Sequence, residues 1–295
     1  MPNTLAHIGI QTVLGKAVTP KAEIKWIWAA CILPDLPWIL QIAVRNLLPE
    51  FDRIDLRLFA IVQSSLVFTL ILAAALAVLS RTPSRTFAVL AFGAVLHLLL
   101  DASQTKWGNG ILLFAPFDWQ IWNFGLYWPE DILTTALTAF GAVVALVMLV
   151  RYGPDAYRLR VPMPSRLIAA TVLIAIWCVL PLAFVGQAED ANLHDTHTLR
   201  EIAGRAGQPI TVDRNNITHL PDGATLSHWT GEVWALQGDV PAEARKVSLK
   251  GTFIDAQTVQ ITAIHLHRDG PREWFSYAGL LLILLWWAAG LLRRR

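Results

Sequence analysis

The stretch AFGAVLHLLLDASQ, residues 91–104, is an apolar run interrupted by His97 and Asp101, and it is greasy enough to lie in a lipid bilayer. Four residues make about one helical turn, so the two side chains project from one face at nearly one depth. Ionisable groups placed there are costly and are kept for metal binding, proton transfer or substrate contact. The stretch therefore reads as a membrane helix that carries chemistry.

The rest of the chain agrees. It is 55% hydrophobic and only 16% charged, with a mean hydropathy of +0.47 and 13 Trp, which is a membrane protein's balance. The formal net charge of +2 is too small to imply a nucleic-acid partner. Cys31 and Cys178 lie in separate apolar segments without metal-ligand spacing, so they read as small buried hydrophobes. Basic residues follow the first apolar stretch at Lys16, Lys21 and Lys25, which is not the order of a cleaved signal peptide.

Apolar stretches at 56–80, 130–151, 166–186 and 274–292 are long enough to cross a bilayer, and 86–103 is a shorter fifth. The chain opens with an apolar helix over 4–18 and a second over 24–33, ended by Pro34-Asp35-Leu36-Pro37, because each proline lacks an amide donor and restrains its predecessor. Basic residues fall in short loops at Lys16, Lys21 and Lys25, at Arg81 and Arg85, at Arg151, Arg158, Arg160 and Arg166, and at Arg293, Arg294 and Arg295. Alternation puts all four clusters, and the C-terminus, on the cytoplasmic side. Measured from those loops, His7, Asp35, His97 and Asp101 each lie roughly 14–24 Å above that side, so four possible ligands from three helices share the outer half of the membrane.

Between the helices, 104–129 is rich in aromatic and turn residues, including Trp107, Trp119, Trp122 and Trp128, and is expected to roof the site at the interface. Residues 36–57 suggest a second outer-surface element. Residues 187–272 hold eight of the 24 Lys and Arg residues and read as an extracytoplasmic insert before the last helix. Alternation predicts a hairpin from 246–253 and 258–265, a strand over 226–236 and a short helix over 198–205. The expected fold is thus a mainly α, polytopic membrane helix bundle (1–186), a small β-rich domain resembling an oligonucleotide/oligosaccharide-binding barrel (187–272) and a final transmembrane helix (273–295).

Each candidate has a plainer reading beside it. His97 and Asp101 could be a hydrogen-bonded pair that locks two helices, and Asp35 could simply cap one. Glu130 and Asp131 begin a helix, where the dipole favours carboxylates. His194-x-x-His197 and His265-x-His267 share faces, yet no Cys accompanies them, and exposed histidines are common without a metal.

Leu33-Pro34-Asp35, Ser65-Leu-Val-Phe68 and His97-Leu-Leu-Leu-Asp101 followed by Gly110 and Pro116-Phe117 resemble the membrane-bound, metal-dependent hydrolases, also described as LexA-binding, inner-membrane-associated hydrolases. The resemblance covers about the first 120 residues, and His7 matches the family's N-terminal histidine. Two positions depart from it: Pro37 stands where a second aspartate is usual, and Ser64, in Gln63-Ser64-Ser65, stands where a histidine is usual. The resemblance implies one divalent metal, zinc first and manganese as the alternative, with His7, Asp35, His97 and Asp101 as ligands. Asp35 and Asp101 are the catalytic candidates, and Gln63, Ser64 and Gln104 are candidates for supporting the ligands or touching substrate. The implied activity is hydrolysis of an ester or phosphoester bond in a lipid or lipid-linked substrate. The other reading is a catalytically inert anchor that presents the β-domain to a partner or envelope polymer.

Overall fold

The computed structural model describes residues 2–154, 163–268 and 270–293. Arg158, Arg160, Arg294 and Arg295 of the basic clusters lie outside these residues.

Asn3 starts α1 (Thr4–Val18), its side chain accepting the Ala6 amide at 3.1 Å and so satisfying a first-turn donor. Helix α2 (Ile24–Ala30) gives way to a turn at 31–35, and α3 (Leu36–Leu47) leaves it with Pro37 in its first turn, as the two prolines require. Asp52 caps α4 (Arg53–Gln63), and α5 (Leu66–Val78), α6 (Pro83–Ser103), α7 (Ile132–Arg151) and α8 (Pro164–Val179) follow. A tight turn at Leu180–Phe184 carries α8 into α9 (Val185–Asp190), and α10 (Thr196–Arg200) and α11 (Arg272–Leu292) complete the helices. Among the described residues four helical stretches are long and apolar enough to cross a membrane: α6, α7, the α8–α9 run Pro164–Asp190, and α11.

The expected single span over 56–80 is broken. Helices α4 and α5 meet at 68° across Ser64-Ser65. Ser64 donates its hydroxyl to the Ile61 carbonyl at 3.1 Å and Ser65 is extended (φ −64°, ψ 161°), a local alternative to the helical ladder. Hydropathy averaged over a window cannot register a two-residue break. Cys31 is buried as expected, but Cys178 is exposed on the outward face of α8.

Helix α1 runs against α2, α6, α7 and α11. Its crossing with α7 is so close that a Cβ on Gly141 would stand 1.9 Å from the Leu5 carbonyl oxygen. Only glycine permits that approach, the device by which membrane helices gain backbone contact. On the other flank Trp28 lies against Trp286 and Trp26 against Trp287, tying α2 to α11.

The stretch between α10 and α11 forms a five-stranded sheet: β1 (Pro209–Leu220), β2 (Gly223–Ser227), β3 (Val233–Gln237), β4 (Lys246–Phe253) and β5 (Thr258–His267). The predicted hairpin is the antiparallel β4–β5 pair. The predicted strand over 226–236 is two strands, β2 and β3, turned back on each other around Gly231, whose φ of +98° suits a glycine. The longest strand, β1, carries no clear alternation, because its polar middle holds a bulge between Val212 and Asn215 that resets which side chains face inward. Pairing runs β1-β2-β3-β5-β4 and returns to β1, so every strand has two bonded neighbours, with β3 parallel to β5. Val212, Leu226, Trp234, Leu249 and Val259 fill its inside.

This sheet sits directly on the helices. Arg200 reaches Asp55 at 2.5 Å and Glu189 at 2.5 Å, tying α10 to α4 and α9. The 104–131 connection has no regular element, and Gly108 touches β1: with φ +63° and a prospective Cβ 2.5 Å from the Thr211 carbonyl oxygen, the position admits no side chain.

Candidate metal centre

Helix α1 presents His7, and α6 presents His97 and, one turn on, Asp101; all three are at most 1% exposed. The two imidazoles stack face to face, ring centres 4.0 Å apart and planes 14° from parallel. His7 Nε2 lies 3.2 Å from Asp101 Oδ1, and His97 Nε2 lies 3.6 Å from Asp101 Oδ2. One ligand atom from each residue falls within 4.8 Å of the others. Ligands about 2.1 Å from a tetrahedral metal ion stand about 3.4 Å from one another, and the two histidine–carboxylate distances, 3.2 and 3.6 Å, bracket that value.

A helix-locking hydrogen-bonded pair does not describe this group. Both ring nitrogens of His7, both of His97 and Asp101 Oδ1 are buried without a hydrogen bond, and so are Gln11 Oε1 and Nε2 one turn along α1. Buried polar atoms left this way are costly, and native proteins rarely tolerate several together unless something else satisfies them. Two imidazoles and a carboxylate are a donor set that could hold a divalent metal ion.

Asp35 stands at the mouth. It occupies the cap position of α3, but its side chain makes no capping bond there. Its Oδ1 lies 3.5 Å from His97 Nε2 and has no hydrogen bond, while the side chain is 24% exposed. The plain capping role is therefore not what this carboxylate performs. It falls outside the tight three-residue group and faces a cavity of about 210 Å3 that also touches Asp101.

That cavity is lined further by Ser64, Arg57, Lys106 and His194. The Arg57 guanidinium lies over the rings of both Trp38 and Trp229, 5.0 and 4.8 Å from their centres, and donates through Nε and Nη2 to His194 Nδ1 at 3.2 and 3.1 Å. Burial, helped by the Arg57 and Lys106 cations, holds the His194 imidazole well below its ordinary pKa, so the ring is neutral and accepts these bonds. His194 is itself strained: Asn192, His194 and Asp195 all have left-handed backbone, with φ of 49°, 54° and 59°. Asp195 pins this loop by accepting the amide and hydroxyl of Thr211 at 3.0 and 2.9 Å. Strain maintained by surrounding structure is characteristic of functional sites.

The remaining sequence candidates separate. Ser64 reaches the cavity wall. Gln104 is buried one turn below Asp101, donating to Thr134 Oγ1 at 3.2 Å with its Oε1 unpartnered. Gln63 is turned away by the α4–α5 bend and donates to the Trp177 carbonyl at 3.0 Å. The sequence does not single out Gln11, Arg57 or Lys106, and it offers His194 only as half of the His194-x-x-His197 pair. Only the one-turn offset of Gln11 from His7 could have signalled its place.

A second trio, Glu130, His265 and His267, also has ligand spacing, but here the atoms satisfy one another. His265 Nε2 meets Glu130 Oε1 at 2.5 Å and His267 Nδ1 meets Oε2 at 3.2 Å, with Trp128 stacked on His265. Burial alone would raise the Glu130 carboxyl, yet the hydrogen bonds from His267 and His265 outweigh it and bring the pKa down to about 2. His267 Nε2 also contacts Ser248 Oγ at 2.7 Å, giving a Ser–His–Glu order. Ser248 is fully buried, with Asp213 Oδ1 a second acceptor for its hydroxyl at 3.1 Å, so no substrate reaches it. This trio clamps the sheet to the start of α7.

A larger cavity, about 500 Å3, lies among α1, α7 and α11. Asn3, Thr138, Thr134 and Gln104, hydrogen-bonded in series, form a polar partition beside it. It touches none of the four predicted ligands, and donor chemistry, not volume, singles out the smaller one. No family model matches the chain, and no curated protein or solved structure matches it either.

Proposed function

We propose that this chain is a multi-pass inner-membrane hydrolase, related to the membrane-bound metal-dependent hydrolases, that cleaves an ester or phosphoester bond of a lipid or lipid-linked substrate. One divalent ion, zinc first and manganese second, is held by His7, His97 and Asp101. The single observation that carries this reading is the group of buried nitrogen and oxygen atoms at ligand spacing that make no hydrogen bond among the described residues. The basic loops support a cytoplasmic C-terminus, a sheet on the outer side and a site in the outer half of the bilayer. The cyclic strand order with one parallel pair supports a small barrel of the oligonucleotide/oligosaccharide-binding type.

When bound, such an ion supplies water acidified toward neutrality and polarises the bond under attack. Asp35, open to the cavity, is the general base. It takes one proton as the water oxygen bonds to phosphorus or carbonyl carbon, and the ester linkage to the leaving oxygen breaks. The proton then passes to that oxygen, leaving Asp35 ionised again. Asp101, 3.2 and 3.6 Å from the two imidazoles, would complete the ligand set with them. The sheet supplies Trp229 to the Arg57 stack, and the 192–195 loop leading into it supplies His194 to the cavity, which favours a site component over an inert anchor's cargo.

The test is metal analysis of the full chain purified without chelators, beside His97→Ala and Asp101→Ala. The expected result is one divalent ion per chain, lost in both variants. Equal content in all three removes the reading.

A further inference from the structure

Resting on that reading, the second feature of the cavity narrows the substrate. Two cations border the same space as Asp35 and Asp101, and among the described residues neither has a carboxylate partner. Lys106 is 7% exposed, and its ammonium makes no hydrogen bond or ion pair there; it acts on Asp101 through space without pairing with it. Arg57 spends two of its donors on a neutral imidazole, which satisfies hydrogen bonds but cancels no charge. Asp213 acts on Arg57 only at a distance, from the wall of an adjoining cavity of about 300 Å3 that Arg57, Asn109 and His194 share with the first.

Unpaired charge partly withdrawn from water, as on half-buried Arg57 and buried Lys106, is costly, and a partner or a ligand relieves that cost. The charges can be counted. Asp35 and Asp101 offset one divalent ion, which leaves Lys106 and Arg57 as two net positive charges around the space. A guanidinium with free donors and an ammonium are the usual pair for a doubly charged oxyanion. The volume suits it: about 210 Å3 equals roughly seven waters at about 30 Å3 each, room for a phosphate and the start of its ester chain.

We infer that Lys106 and Arg57 form a phosphate subsite beside the metal ligands, and that the substrate is a phosphomonoester dianion whose phosphate enters between the two cations and Asp35. The same chemistry is presented by a lipid phosphate headgroup and by a soluble phosphate. A neutral carboxylic ester would leave both cations uncompensated and is disfavoured.

The experiment measures binding of inorganic phosphate and of phosphatidic acid in mixed micelles to the full chain in detergent, by titration calorimetry, with metal content determined on the same samples. Lys106→Met and Arg57→Lys are expected to weaken phosphate about tenfold or more while metal stoichiometry stays at one. Lys106→Arg, which keeps the charge, is expected to retain most of the affinity and controls for folding. Tighter phosphatidic acid than inorganic phosphate identifies the lipid source, and equal affinities identify the soluble one; both support the subsite. Metal present with phosphate affinity unchanged in Lys106→Met and Arg57→Lys overturns the subsite alone. Wild type without metal overturns the hydrolase reading.

Discussion

His7 and His97 stack face to face with ring centres 4.0 Å apart, although 90 residues of chain separate them and neither ring makes a hydrogen bond. Like rings with free nitrogens gain little from each other, and the ion proposed above would supply the partner that they lack. Such an ion, bound to both, would help to hold the two helices in register.

Metal removal is therefore expected to loosen the helical part. A ligand present at 100 times its dissociation constant stabilises the folded state by about 2.7 kcal/mol. Adding chelator to the purified chain should lower its unfolding temperature, and restoring zinc should recover it. His7→Ala should show the lower temperature at the outset and no response to chelator, as read by differential scanning fluorimetry.

Asp35→Asn is expected to separate binding from turnover. Asp35 lies outside the tight ligand group, so metal content should persist while hydrolysis of a chromogenic phosphomonoester falls about 10²–10⁴-fold, the usual worth of a positioned base. A variant that loses its metal instead would make Asp35 a ligand. One that keeps full activity would leave it without a chemical role.

Gly141→Ala forces a methyl group into the Leu5 carbonyl, backbone against backbone, where nothing flexible can yield. The expected cost is about 1–3 kcal/mol of stability, together with weaker metal binding as α1 and its histidine shift. Gly186→Ala meets nothing within 4 Å and should change neither quantity. Thermal unfolding and metal titration of the two variants check this.

The Glu130 clamp carries a pH signature. Its carboxyl is depressed from an ordinary 4.5 to about 2, so its contribution is complete above about pH 4.5 and is lost as pH falls toward 2. Amide exchange in β5 should rise over that interval in the wild type relative to Glu130→Gln, which starts loosened and lacks this part of the response. Identical exchange profiles for the two proteins would sever the clamp from sheet docking.

How far the sequence could be read depended on the distance over which each feature is encoded. The 4–18 helix, the proline break before α3 and the His97–Asp101 pair are local patterns, and counting turns from the basic loops brought His7 to their level. The kink at Ser64-Ser65 hides in an unbroken apolar average, and β1 hides because its bulge interrupts alternation. Arg57 looks like one of several surface charges on 53–63, a helix of mixed polarity. Its meaning comes only from Trp229 and His194, residues that no periodicity links to it.

Trp38 and Trp229 both hold one guanidinium, the first from the helices and the second from the β2–β3 turn of the sheet. Severed near residue 187, the chain would give two halves, each with an unfinished wall, so neither fragment is a self-sufficient module. A substitution on the sheet that tilts it by an ångström alters the chamber below as surely as one made inside it.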